Sequence, residues 1–156
     1  MCALPIFGCT DALLENYCTQ NTPFWQHHPV GCTNVVIRGV TADSIGPNND
    51  GFDPDSCRNL LCEAVTFNTG DDCIAIDSGK DRDVGLGPAQ DLVIQHCVMN
   101  SGHGGLTIGS LMGGGVRNIY ARDLTMLNRY FSTNPDRKST RLNSSHSEIS
   151  RMPSSA

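Results

Sequence analysis

Three stretches of the chain carry residues able to do acid-base chemistry: Asn48-Asn49-Asp50, Gly70-Asp71-Asp72, and Ser101-Gly102-His103-Gly104-Gly105-Leu106-Thr107-Ile108. They hold three carboxylates and an imidazole in segments that carry Gly or Asn, the residues that bend a backbone into a corner. Like charges brought close raise each other's pKa. Such a cluster holds a proton on one member while another stays ionised, and cleavage of a glycosidic bond needs that pairing. Groups coupled in this way titrate as a unit.

An internal repeat supplies the elements that position them. From Asn34, Asn59, Asp91 and Asn118, one place on are Val35, Leu60, Leu92 and Ile119, and three on are Ile37, Cys62, Ile94 and Ala121. Six on are Val40, Val65, Cys97 and Leu124; eight on are Ala42, Phe67, Met99 and Met126. Between them, at four on, lie the polar Arg38, Glu63, Gln95 and Arg122. This alternation faces one side of a strand inward and the other outward. At nine and ten places on come Asp43-Ser44, Asn68-Thr69 and Asn100-Ser101, which is turn chemistry. Short strands, polar corners and intervals of 25, 32 and 27 residues predict an all-β fold, a right-handed parallel β-helix. Its coils lie about 4.8 Å apart.

The repeat sets the expected geometry of the site. Asp71 and His103 both fall twelve places after their repeat starts, which places them in one column. Asp50 precedes Asp71 by 21 residues, so the two are expected at nearly the same azimuth on adjacent coils. Asp71 and Asp72 can face one groove only if the backbone bends at Gly70, because neighbours in a regular strand point to opposite faces.

Composition narrows the function classes. No apolar run approaches the roughly 18 residues of a membrane span, so no membrane partner is expected. Net charge is -5, and -7 without residues 136–156, with 7 basic against 14 acidic residues. That disfavours nucleic acid, which is bound through clustered Lys and Arg. The eight cysteines contain no Cys-x-x-Cys, and neither a metal nor a cofactor is expected. Cys62 and Cys97 share the inward columns and are expected to pack as small hydrophobes. Residues 1–7 and 136–156 break the pattern and resemble translated sequencing adapters. That leaves 8–135 as a partial β-helix domain, with a disordered tail expected after it.

Asn-x-Asp, Gly-Asp-Asp and Gly-His-Gly in this order, with His96 to Ser110 reading HCVMNSGHGGLTIGS, resemble the polygalacturonase family of glycoside hydrolases, family 28. The likeness runs from about Asn21 to Met126. It implies hydrolysis of α-1,4-galacturonosidic bonds in pectin with inversion, by a monomeric extracellular or periplasmic enzyme. By the same likeness Asp71 is the general acid, Asp50 and Asp72 hold and deprotonate water, and His103 tunes the acid. Asn48 and Gly104 are the expected substrate-binding positions. The family's Arg-Ile-Lys motif, which grips the galacturonate carboxylate, does not occur in this chain, so the chain alone is expected to be inactive. Asp77 and Leu111 stand where relatives carry Lys and Glu. A calcium-dependent pectate lyase and a non-catalytic carbohydrate-binding protein remain alternatives on the same fold.

Three further groups have simpler readings. His96 reads as a surface imidazole. His27 and His28 beside Trp25 suggest a sugar-stacking platform, although a packed coil cap is the stronger reading. The acidic loop from Asp77 to Asp83 lacks an EF-hand pattern and reads as a solvated insertion.

Overall fold

A computed structural model describes residues 4–79 and 85–128. Fourteen strands follow one another in them: β1 (Leu4–Phe7), β2 (Thr10–Glu15), β3 (Cys18–Gln20), β4 (His27–Val30), β5 (Thr33–Arg38), β6 (Thr41–Ser44), β7 (Arg58–Glu63), β8 (Thr66–Thr69), β9 (Ile74–Ile76), β10 (Ala89–Gln95), β11 (Val98–Ser101), β12 (Leu106–Ile108), β13 (Val116–Arg122) and β14 (Thr125–Asn128). One parallel sheet runs β13-β10-β7-β5-β2 and a second runs β14-β11-β8-β6-β3. The third face consists of the pairs β1-β4 and β9-β12. They are joined through residues 52–55 by the bridges His27–Phe52–Ile74 and Val30–Asp55–Asp77. Each coil adds one strand to each of the first two faces, and parallel crossovers of this kind wind right-handed. The chain is a right-handed parallel β-helix.

The repeat appears in the register. Val35, Leu60, Leu92 and Ile119 pair in one column, as do Ala42, Phe67, Met99 and Met126. Ile37, Ala42, Cys62, Phe67 and Met99 are fully buried. Cys62 and Cys97 touch in the core at 3.9 Å, and all seven cysteines among the described residues are free thiols.

The four repeat starts have a physical basis that the pattern alone did not reveal. Asn34, Asn59, Asp91 and Asn118 have φ of 56°, 53°, 60° and 57°, in the left-handed region that Asn and Asp tolerate best. Their side chains form a ladder along the axis: Asn34 donates to Asp11, Asn59 to Asn34, and Asn118 to Asp91, at 2.7 to 2.8 Å. Asp11, with φ of 60°, starts a further unit. The sequence pattern misses it because Thr19 stands at its eighth place, where the other units are apolar.

Two expectations about the periphery change or fall outside view. Asp77 is not solvated: it is 3 % exposed, and its Oδ1 accepts from the Leu111 N–H at 3.1 Å. Its register opposite Asp55 fixes it to the third face. Asp81, Asp83 and residues 136–156 lie outside the described residues. Of residues 1–7, Leu4–Phe7 form β1 and pair with β4. No helix among the described residues is long and apolar enough to cross a membrane.

Candidate active site

The three acidic motifs fall at one corner of the coil, just before the third face. Counting back from the bridges His27–Phe52–Ile74 and the pair Ile74–Leu106 gives two columns. One holds Trp25, Asp50, Asp72 and Gly104. Its neighbour holds Phe24, Asn49, Asp71 and His103. Backbone hydrogen bonds fix this register from coil to coil: Gln26 N–H to Asp50 O, Gly51 N–H to Asp72 O, and Cys73 N–H to Gly104 O, at 2.8 to 2.9 Å. Asp71 and His103 therefore share a column, as their equal offset predicts. Asp50 is level with Asp72 instead of Asp71, because the interval between these two coils at the third face is 22 residues.

Asp71 and Asp72 do face the same groove. His103 Nδ1 lies 2.9 Å from Asp72 Oδ1 and 3.4 Å from Asp71 Oδ1. The bend that permits this is at Gly70, where coils cross so closely that a Cβ would strike the carbonyl of Gly46. Ser101, buried at the corner, then ties the motif together. Its hydroxyl serves Asp71 O at 3.0 Å and Gly104 O at 2.8 Å, and it accepts from the His103 N–H at 2.9 Å. On the other side Thr107 Oγ1 donates to Asp72 Oδ2 at 2.9 Å. Asp72 is thus held from two directions, by the imidazole and by the hydroxyl.

Gly104 is required for a steric reason. A Cβ there would stand 2.7 Å from Asp72 Oδ1 and 2.5 Å from Thr107 Cγ2. Any side chain would drive the carboxylate out of its place. Asn48 is exposed, with φ of 54°. Its neighbour Asn49 is buried and closes the loop: its amide donates to Thr22 O at 2.8 Å and Phe24 O at 3.1 Å, and its Oδ1 accepts from the Gly46 N–H at 2.7 Å. The first motif therefore divides into an outward Asn48, a structural Asn49 and a buried Asp50.

Burial and mutual repulsion set the electrostatics. Asp50 is pushed up to about 7 by its desolvation first, then by the charges of Asp71 and Asp72. Asp53, three residues on, is completely buried, and neither of its oxygens has a hydrogen-bond partner. The Ala75 N–H in register with it donates to Phe52 O and only partly offsets the burial of the carboxyl. Burial, followed by the charges of Asp50, Asp77 and Asp72, pushes Asp53 up to about 10. Asp77 is raised to about 6, chiefly by burial. Asp50 and Asp53 are thus the carboxyls of this corner that hold protons toward neutrality.

A family model, Glycosyl hydrolases family 28, matches residues 3–140. The chain belongs to that family. A probable polygalacturonase from Vitis vinifera is 37% identical over 123 residues, covering 76% of this chain and 25% of its own. A polygalacturonase from Ralstonia solanacearum is 36% identical over 98 residues, covering 56% and 17%. The crystal structure of a hyperthermoactive exopolygalacturonase from Thermotoga maritima superposes with a TM-score of 0.76 at 39% identity, covering 81% of this chain and 31% of that one. The chain spans about a quarter of the length of the first of these relatives.

Within this family 28 chain, sequence reasoning left three residues without a role. Thr107 and Ser101 lie inside the quoted motif; the Thr107 hydroxyl bonds the Asp72 carboxylate and the Ser101 hydroxyl holds the backbone carbonyl of Asp71. Asp53 lies outside the motifs, and its only sequence signal is an acid at a position in register with the alternating third face. Asp71, Asp72 and His103 each offer a ligand atom within 4.8 Å of the others, a spacing compatible with a metal ion among the described residues.

Proposed function

We propose that the protein hydrolyses α-1,4-galacturonosidic bonds of pectin by acid-base catalysis with inversion. Asp71 gives its proton to the leaving oxygen, Asp50 and Asp72 hold and deprotonate the attacking water, and His103 orients the acid. Asn48 and the backbone at Gly104, which leaves room only for the Asp72 carboxylate beside it, are the proposed substrate-binding positions. The observation that carries the reading is the corner itself. Two carboxyls, Asp71 and Asp72, meet the imidazole of His103 from the next coil, and Asp50 on the preceding coil feels both of their charges, which help to raise it to about 7. A secreted, extracellular or periplasmic protein acting as a monomer fits such a substrate, as does the acidic charge balance that disfavours nucleic acid. Arg-x-Lys occurs nowhere in the 156 residues. A net-negative groove repels a polyanion unless cations offset it, so we propose that this chain as given turns over slowly.

One distance favours a second reading. Oxygens of Asp71 and Asp72 lie within 4.8 Å, whereas inverting pairs commonly stand about 6.5 to 9.5 Å apart and retaining pairs about 5 to 5.5 Å. Under inversion the water must therefore sit toward Asp50, on the neighbouring coil. Under retention one of the close pair would be a nucleophile. Proton NMR of polygalacturonate digests separates the two. The test uses this chain and a version extended through an Arg-x-Lys coil. Inversion gives the β-anomer first, and initial α-anomer would overturn the assignment. Unsaturated products absorbing in the near ultraviolet would show a lyase.

A further inference from the structure

We propose that Phe24 and Trp25 form a stacking platform for a pyranose ring of the substrate chain, on the N-terminal side of the acid cluster. This rests on the reading of the corner as a galacturonan-cleaving site and names one of its subsites.

The register makes the case. Phe24 and Trp25 occupy, on their own coil, the two columns that carry Asn49-Asp50, Asp71-Asp72 and His103-Gly104 on the next three. The groove that holds carboxyls at one end therefore continues into aromatic rings at the other. Two coil spacings, about 10 Å, separate the rings from Asp71 and Asp72. A polysaccharide lying along the axis with its scissile bond at Asp71 has to pass over them.

The rings are built as a platform and not as core. Phe24 is 46% exposed, whereas Phe52 and Phe67 on later coils are fully buried. Phe24 and Trp25 stack with centroids 4.8 Å apart at 28°, and Trp25 meets His28 edge-on at 4.7 Å. The backbone beneath is clamped. Phe24 O accepts from Thr22 Oγ1 at 2.9 Å and from the Asn49 amide at 3.1 Å, and His28 Nδ1 is 2.9 Å from Asp53 O. Pairs fixed in this way lose little freedom on binding. His27, by contrast, is fully buried against Tyr17, with Nδ1 on Gly51 O at 2.8 Å, and is a packing residue.

The chemistry selects the ligand class. A galacto-configured pyranose presents one face of C–H bonds, which an aromatic ring covers without needing a charge. Beside an acidic corner, an uncharged contact holds a uronate residue by its ring while leaving its carboxylate in water. The occupant is a galacturonosyl ring, ionised or esterified.

Trp25 is the sole tryptophan of the chain, so its fluorescence reports this site alone. The whole chain is titrated with a galacturonic acid pentamer, following tryptophan emission and, in parallel, heat by calorimetry. Emission is expected to change saturably, with the same midpoint as the heat. Phe24→Ala should weaken binding by about fivefold to tenfold. Tyr120→Ala, which removes a 66% exposed ring on the outer side of β13, should leave binding unchanged. Equal far-ultraviolet dichroism in the variants checks that both fold. Binding by calorimetry with unaltered tryptophan emission and an unaltered Phe24→Ala affinity would overturn the platform and leave the proposed function standing. No heat with the pentamer at millimolar concentration, either for this chain or for a version extended through an Arg-x-Lys coil, would overturn both.

Discussion

Replacing Asp53 by Asn tests whether the corner's electrostatics follow from burial. The carboxyl is fully buried, both oxygens lack partners, and its pKa is pushed from 3.8 to about 10. The folded state therefore binds this proton more tightly than the unfolded chain between about pH 4 and pH 10. With a raised folded pKa, the associated stability is fully present below the unfolded value and is lost as pH rises toward the folded one. Each pH unit in that window removes up to about 1.4 kcal/mol, so from pH 4 to pH 7 the loss approaches about 4 kcal/mol. Asn has the same shape and no charge, so Asp53→Asn removes this slope. Its buried amide costs about 1 to 3 kcal/mol where it finds no partner. The variant should be slightly less stable than the parent at pH 4.5 and more stable by about 1 to 3 kcal/mol at pH 7.5. Urea unfolding of both proteins at half-unit steps from pH 4.5 to 8.5 measures the difference. Asp50 and Asp77, raised to about 7 and about 6, tilt both curves in the same sense, whereas His27, lowered by burial, loses stability as pH falls through its unfolded 6.5. These groups are present in both proteins, so the difference curve reports Asp53 together with its coupling to Asp50 and Asp77. Parallel curves, separated by a constant offset, would refute the reasoning.

Three more outcomes follow from the same geometry. Gly104→Ala should lower hydrolysis at least about tenfold and cost about 1 to 3 kcal/mol of stability, because its Cβ meets Asp72 Oδ1; polygalacturonate turnover and unfolding midpoints check both. Asp71→Asn, in a version carrying the Arg-x-Lys coil, should lose about 10² to 10⁴ in rate with no loss of stability. It should also lower Asp50 from about 7, since the Asp71 charge helps to raise it, and carboxyl NMR titration reads that shift. Zinc should bind the Asp71, Asp72 and His103 trio, and His103→Ala should abolish the calorimetric heat; calcium, which takes six to eight oxygens, should give none.

The sequence by itself determined the coil. Apolar residues at one, three, six and eight places after each start can be satisfied only by facing a common interior, so the parallel register and the inward Cys62 and Cys97 were legible before any coordinates. Co-location of Asp71 and His103 followed from equal offsets for the same reason. What it did not determine is anything set by loop length or by contacts between coils. Asp50 aligns with Asp72 because the turn before Phe52 differs in length from the turn before Ile74, and such a change leaves no mark in the strand pattern. Asp77 read as loop, yet it is buried because its bridge to Asp55 holds it on the third face, where it accepts from the Leu111 N–H. The roles of Ser101 and Thr107 depend on hydroxyl directions that type and spacing leave open. The burial of Asp53 and the placing of Phe24 and Trp25 in the acid columns exist only once the coils are stacked. A column is a relation between residues on different coils, and backbone hydrogen bonds between coils decide it.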